Sequence, residues 1–459
     1  MKAWLRTLGC RANQADSEQL RAALRRRGVA IVDRAADADV AIFNSCAVTA
    51  DAEADLRQGV RRASRENAQL MTVVMGCAAA LDRGTIAALP SVRAVVAGAD
   101  IDAVLFALGI PPIVARDADV PAGPQTSARA LLRIQDGCAE HCTFCATTVA
   151  RGAHRSRSAD ALVAESRVLA EWHPEIVLTG THIGHYGTDC QSSLGELVGR
   201  LVREVPHVRF RLTSVEATEV DDALAALLRD GGRDCERDDA SLAGSSAAAV
   251  AAAAASWRVA PCLHAPLQSG SDAVLRRMGR HWYTAASYAR AVERLVRDRG
   301  VFALGADVIA GFPGETEADH RATVTLVEAL PFTYLHVFPF SERPDAPATR
   351  LGAAVAPPDI ARRANELRTI GARKAASYAA SRVDGMADVV VTGTGRRRAG
   401  LTEDYLSVLL EDASLPRRSR FAARLVRNGD GRLVARPAGS GNGAPPEPVS
   451  TPDLFLEPA

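Results

Sequence analysis

The run CAEHCTFC at residues 138–145 constrains this chain more than any other feature, because it places three thiols, Cys138, Cys142 and Cys145, in one short loop. Cys10, Cys46 and Cys77 are spread along the N-terminal third, and Cys190, Cys235 and Cys262 complete the nine. These last three stand apart and read as small buried hydrophobes or tolerated loop thiols. Structural zinc closes with four ligands, whereas an iron–sulfur cubane held by three thiolates keeps one iron open for chemistry. Two triads therefore point to two open metal sites and a redox enzyme. The alternative for the loop is zinc bound by three Cys and one His, with His141 or His154 as fourth ligand. For the N-terminal triad it is three buried cysteines at strand ends.

At 459 residues the chain is too long for one core and suits two or three domains. No apolar run reaches the roughly 20 residues that span a bilayer. The start MKAWLRTLGCRANQ lacks the features of a secretory signal, so a cytoplasmic location away from membranes is expected, with thiols kept reduced. A net charge of +1 gives no global attraction to polyanions, and any nucleic-acid contact must come from a local patch.

The fold class expected is α/β. Residues 1–110 alternate short apolar strands with helical stretches, the rhythm of an open parallel sheet, and each of Cys10, Cys46 and Cys77 follows a strand by one to three residues. The carboxyl ends of such strands form a ligand crevice where distant residues converge. A Pro- and polar-rich linker, 111–127, leads to a central domain, 128–382, whose six strand candidates (130–135, 175–178, 208–213, 262–266, 302–309 and 333–338) suit a partial (β/α)6 barrel with chemistry at the strand ends. An alanine-rich stretch at about 231–256 reads as an insertion without assigned function. Residues 383–436 read as a small all-β module with a mild excess of arginine, in which Arg396–Arg398 and Arg417, Arg418 and Arg420 suit phosphates and Tyr405 suits base stacking. The tail, 437–459, reads as disordered.

These motifs resemble those of the radical S-adenosylmethionine methylthiotransferases, and nearly the whole chain takes part. TLGCRANQADSE, NSCAVTADAE and MGCAAA match the family's three auxiliary-cluster cysteines. QDGCAEHCTFC, ARGAHRSRS, EIVLTGTHIGHYG, LHAPLQSGSDAVLRRMGRHW, DVIAGFPGETEADH and HVFPFSERPDAPA match its central domain. The C-terminal module resembles the RNA-binding TRAM domain. Within the family the wording is most like the enzymes that convert N6-threonylcarbamoyladenosine at position 37 of tRNA to its 2-methylthio form. The rival substrates are isopentenyl-adenosine in tRNA and an aspartate of a ribosomal protein. A rival of another class is a non-catalytic, zinc-stabilised RNA-binding protein.

The resemblance implies two 4Fe-4S clusters, on Cys138, Cys142 and Cys145 and on Cys10, Cys46 and Cys77, and S-adenosylmethionine as cofactor. The first cluster would cleave the cofactor reductively and the second would carry sulfur. The implied partners are a tRNA anticodon stem-loop, an electron donor of flavodoxin or ferredoxin type, and a sulfur source. For cofactor binding the expected residues are Phe144, Ser214, Glu216, Gln268, Ile309 and Gly311, with Asp307 a weaker candidate that suits pairing with an arginine. Arg151, His154, Arg155 and Arg157 suit a phosphate or a substrate carboxylate. Two departures touch loops rather than ligands: CATTVARG lacks the proline usual after the last cluster cysteine, and Ala217 replaces the usual proline in SVEATEV.

Overall fold

The computed structural model describes residues 1–46, 50–111, 123–232, 257–297, 299–342, 346–395 and 398–438, without the side chains of residues 50 and 51. Most of the linker, the alanine-rich insertion, the tail, Cys235, Arg396 and Arg397 lie outside the described residues.

The N-terminal unit is a parallel sheet of β1 (Lys2–Thr7), β2 (Ala30–Ile31), β3 (Val40–Ser45), β4 (Met71–Gly76) and β5 (Val92–Ala97), in the order β2-β1-β3-β4-β5. Strand β3 is buried along its whole length, as expected of a central parallel strand covered on both faces. Helix Arg11–Arg26 packs Leu20, Ala23 and Leu24 onto this sheet. Its Ala15 faces the other way, against Leu131 and Val177 of the next unit.

The central unit contains β6 (Ala130–Arg133), β7 (Gln135–Asp136), β8 (Arg155–Ser156), β9 (Glu175–Thr179), β10 (Arg209–Leu212), β11 (Cys262–His264), β12 (Ala303–Ala310) and β13 (Tyr334–Pro339). Two three-stranded parallel sheets, β6-β9-β10 and β11-β12-β13, are joined by parallel bridges Phe210 to Val259 and Ser214 to His264. The result is an open parallel barrel of six strands, with β7 and β8 forming a separate antiparallel pair. Alternate side chains of a strand share a face. That face here carries Glu175, Arg209, Arg211, Cys262, His264, Asp307, Tyr334 and His336, so the inner wall of the barrel is polar.

The C-terminal unit is a closed barrel of β14 (Met386–Gly393), β15 (Ala399–Leu401), β16 (Ser407–Leu410), β17 (Arg420–Arg427) and β18 (Leu433–Pro437). Closure leaves no exposed strand edge, and Val389, Val391, Leu425 and Ala435 fill the interior. Helix Pro357–Ser381 leads into it.

Two buried ion networks join the three units. Glu175 meets Arg209 at 2.6 Å, Arg211 at 2.7 Å and Arg129 at 3.2 Å. Arg209 also reaches Asp388 of the C-terminal barrel at 2.9 Å, and Arg211 donates to the carbonyls of Thr402 and Glu403. At the other side Asp16 of the N-terminal helix binds Arg133 and Arg151, each at 2.7 Å. The flanking linker is tied down as well, because Arg417 and Arg418 donate to the carbonyls of Thr126 and Gln125.

Replacing Glu175 by Ala leaves buried arginines without their counter-charge, which is expected to cost about 3–5 kcal/mol, measured by chemical denaturation. Burial holds His173 down to about 4, although its bond to the Ala128 carbonyl works the other way, and its Nε2 accepts from the Gln125 amide. A depressed histidine stabilises the fold fully above its unfolded value near 6.5 and loses that contribution as pH falls toward 4. The melting temperature should therefore fall across this window, and His173→Gln should flatten the fall.

Candidate active site between two cysteine triads

Strand ends place the first triad. Cys10 precedes helix Arg11–Arg26 as its cap, Cys46 follows β3 directly, and Cys77 follows β4. Gly9 makes their approach possible: at φ +140° a Cβ there would stand 2.7 Å from Cys46 Cβ and 3.2 Å from its Sγ. All three cysteines line one cavity of about 480 Å³, together with Arg11, Arg151, Arg211, His264, Asp307, Tyr334, His336 and Tyr405. Burial pushes the Cys77 thiol up, while Arg151 pulls it down and Cys10 and Cys46 push it up further, so the three sulfurs share one field.

The second triad occupies the loop after β7. Cys145 Sγ lies 3.0 Å from Thr147 Oγ1, the first residue of helix Thr147–Arg151. This helix fills the segment where the family proline is missing, and its last residue is Arg151. Arg280 Nη1 donates to Cys142 Sγ at 3.5 Å, yet burial pushes that thiol up to about 12. A thiol held this strongly protonated gives up its proton when a metal binds. Cys138 Sγ is 3.6 Å from His182 Nδ1, and His182 Nε2 is 2.7 Å from Glu219. Burial would lower His182, but its bonds to Cys138 and Glu219 prevail and hold it up to about 10.

All six cysteines are free thiols. Soft thiolates suit iron–sulfur and zinc alike, so the absence or presence of a fourth ligand discriminates. The two groups of three or more His, Cys, Asp or Glu donors within 4.8 Å among the described residues are His182, His185, Glu219 and His264, Asp307, His336. Neither includes a cysteine. His154, offered by sequence as a zinc ligand, instead bonds Gln135, Ser156 and Asp189. Among the described residues the three sulfurs of neither triad all lie within 4.8 Å of one another, a spacing wider than that of a closed zinc site and one that fits an open-iron cluster; His182, beside Cys138, is held by Glu219 through its other ring nitrogen.

A second pocket, about 250 Å³, opens beside Cys145 and is lined by Phe144, Gln268, Asp307, Ile309 and Phe340. Cys77, Thr147, Asp307 and Phe338 line both this pocket and the larger cavity, so Cys145 of the second triad and all three cysteines of the first border adjoining spaces. Gln268 holds φ 62°, a left-handed conformation that L side chains rarely adopt, at a cost of order 1 kcal/mol.

Ser214, Glu216 and Gly311 lie around this pocket rather than in it. Ser214 lines the larger cavity. Glu216 stands behind the cluster loop, where Arg280 and Trp282 Nε1 donate to it. Gly311 faces away, since a Cβ there would meet Ile360 Cγ1 at 2.5 Å. Asp307 takes histidines instead of an arginine, His264 at 2.9 Å and His336 at 3.3 Å, and these bonds hold it well below the carboxylate range although burial works against them.

Several basic residues that suited phosphates are occupied within the chain. Arg151 is 8% exposed and binds Asp16 and Asp136. Arg157 binds Glu165, and Arg420 binds Asp388. Tyr405 is turned into the cavity, where its ring stands 5.5 Å from Tyr334. His264, Tyr334, His336 and His182 were missed by sequence reasoning, although the alternation of Tyr334 and His336 along one strand was a visible signal.

Residues 2–98 match the model of a family described as "Uncharacterized protein family UPF0004". The chain is 31% identical to the threonylcarbamoyladenosine tRNA methylthiotransferase MtaB of Bacillus subtilis, over 88% of this chain and 89% of that protein. It is 30% identical to the tRNA-2-methylthio-N(6)-dimethylallyladenosine synthase of an Anaeromyxobacter species, over 95% of both. Its fold is similar to that of the radical S-adenosylmethionine methyltransferase TsrM from Kitasatospora setae, with a TM-score of 0.52, 15% identity and 76% of each chain covered. The chain belongs to the radical S-adenosylmethionine methylthiotransferase family and is an enzyme of that family. Membership implies a 4Fe-4S cluster and S-adenosylmethionine. No helix among the described residues is long and apolar enough to cross a membrane.

Proposed function

We propose that this enzyme methylthiolates carbon 2 of N6-threonylcarbamoyladenosine at position 37 of tRNA, using two 4Fe-4S clusters. The observation that carries the reading is that the pocket beside Cys145 and the cavity lined by Cys10, Cys46 and Cys77 share Cys77, Thr147, Asp307 and Phe338, and that the cavity also carries arginine, histidine and tyrosine side chains. A threonylcarbamoyl group brings a carboxylate, a hydroxyl and amide groups, which arginine, histidine and tyrosine side chains can satisfy. An isopentenyl group is hydrocarbon and offers no acceptor to the donors of Arg11 that Tyr405 leaves unused, and an unmatched polar group makes a site selective. The relatives named for threonylcarbamoyladenosine favour the same choice.

In this reading Cys138, Cys142 and Cys145 hold the cluster that binds S-adenosylmethionine, and Cys10, Cys46 and Cys77 hold the sulfur-carrying one. The cofactor supplies radical hydrogen abstraction from an unactivated carbon, which acid–base groups cannot readily achieve. The chain's own residues position and shield. Gln268 and Ile309 wall the cofactor pocket, Phe144 packs edge-on to Phe312 at 6.4 Å, and Glu216 fixes Arg280 beside Cys142. The open side of the cavity admits the anticodon stem-loop, and an electron donor and a sulfur source complete the set of partners.

Cys142→Ala should abolish reductive cleavage of S-adenosylmethionine in the reconstituted enzyme. Cys46→Ala should leave cleavage measurable while the methylthio product disappears; equal loss of both activities would contradict two sites. Mass spectrometry of tRNA nucleosides from a deletion strain should show loss of 2-methylthio-N6-threonylcarbamoyladenosine, and an unchanged level would refute the substrate.

A further inference from the structure

We propose that Arg11, braced by Tyr405, receives the carboxylate of the substrate's amino-acid side chain. The inference deepens the proposed function and rests on it.

Three arginines line the large cavity: Arg11, Arg151 and Arg211. Arg151 is matched by Asp16 and Asp136, and Arg211 by Glu175. Arg11 has no carboxylate partner among the described residues. Its Nη2 donates to the Tyr405 hydroxyl, and its guanidinium carbon lies 5.6 Å from the centre of the Tyr405 ring. A guanidinium carries five donors in a planar fork suited to a carboxylate, and the bond to Tyr405 leaves most of them unused.

Tyr405 is built for bracing. It holds φ 70°, and the turn that imposes this is fixed by bonds from Thr402 Oγ1 to Asp404, from the Leu406 amide to Thr402, and from Arg382 to Asp404. The Tyr334 ring, 5.5 Å away, backs it. Arg11 also borders a smaller cavity with Gln14, Arg129 and Arg417, whose lining contains no carboxylate; Arg129 there is paired with Glu175 behind it, which leaves Arg11 unmatched.

Position separates the two anions available on a tRNA. A backbone phosphate lies on the outside of the nucleic acid, while Arg11 adjoins Cys10 inside the cavity that would enclose the base. The base-borne carboxylate is thus the anion that reaches it.

The test compares two synthetic anticodon stem-loop RNAs, one carrying N6-threonylcarbamoyladenosine and the other its carboxamide analogue, binding to the reconstituted full-length enzyme. The wild type should prefer the acid by roughly 10- to 100-fold, the scale of a charged hydrogen-bonded contact. Arg11→Gln should bring the preference near one, and Arg11→Lys should restore part of it. An undiminished preference in Arg11→Gln overturns the inference, including one kept through a parallel loss of affinity for both RNAs, which is the result expected of a phosphate contact. Should Arg11→Gln bind neither RNA, Arg11→Lys decides: preference kept upholds the role, and preference lost overturns it. Failure of the substrate reading would show elsewhere, in wild-type enzyme that modifies only isopentenyl-adenosine RNA.

Discussion

Burial of the Glu175 carboxylate at the start of β9 is the constraint on which the rest of the arrangement depends. Glu175 is 0% exposed and so are Arg209 and Asp388, so each charge must be matched within the protein. The inner wall of a small parallel barrel is ordinarily filled by branched apolar side chains. Here its lower part is filled by charges, and completing their pairing requires the C-terminal barrel to dock against the central unit. Docking in turn carries the 402–405 turn under the strands and places Tyr405 in the cavity. A stability device thereby becomes part of the site's geometry.

The Asp16 network does the corresponding work on the other side. Asp16 is fully buried, and its two arginines come from β6 and from the helix that closes the cluster loop. One of them, Arg151, also acts electrostatically on Cys77. The loop bearing one triad and the sheet bearing the other are thus fixed through a single guanidinium. Loss of the loop proline is offset here by a short helix anchored at Arg151, so the departure from the family pattern leaves the cluster loop tied down.

Much of this was legible in the sequence, for physical reasons. Parallel strands buried on both faces announce themselves as largely apolar stretches such as Val40–Asn44, and the strand ends after them located Cys10, Cys46 and Cys77 on one rim. A small all-β module at the C-terminus followed from short strands separated by turn residues, and the structure closes it into a barrel. What could not be read was the partner of each charge. Arg151, Arg417, Arg418 and Arg420 look like phosphate ligands until the fold supplies Asp16, the Thr126 and Gln125 carbonyls, and Asp388. Asp307 looked like half of an arginine pair because the histidines beside it arrive from two other strands. Tyr405, read as a surface base-stacker, faces inward because an ion network elsewhere turns its loop.

In the proposed function one chain holds two clusters beside adjoining cavities. Anomalous diffraction at the iron edge from crystals of the reconstituted protein tests it most directly. Two iron peaks are expected, one against Cys10, Cys46 and Cys77 in the cavity that contains Arg11 and Tyr405, and one against Cys138, Cys142 and Cys145. A single iron site, or zinc at either triad, would contradict it.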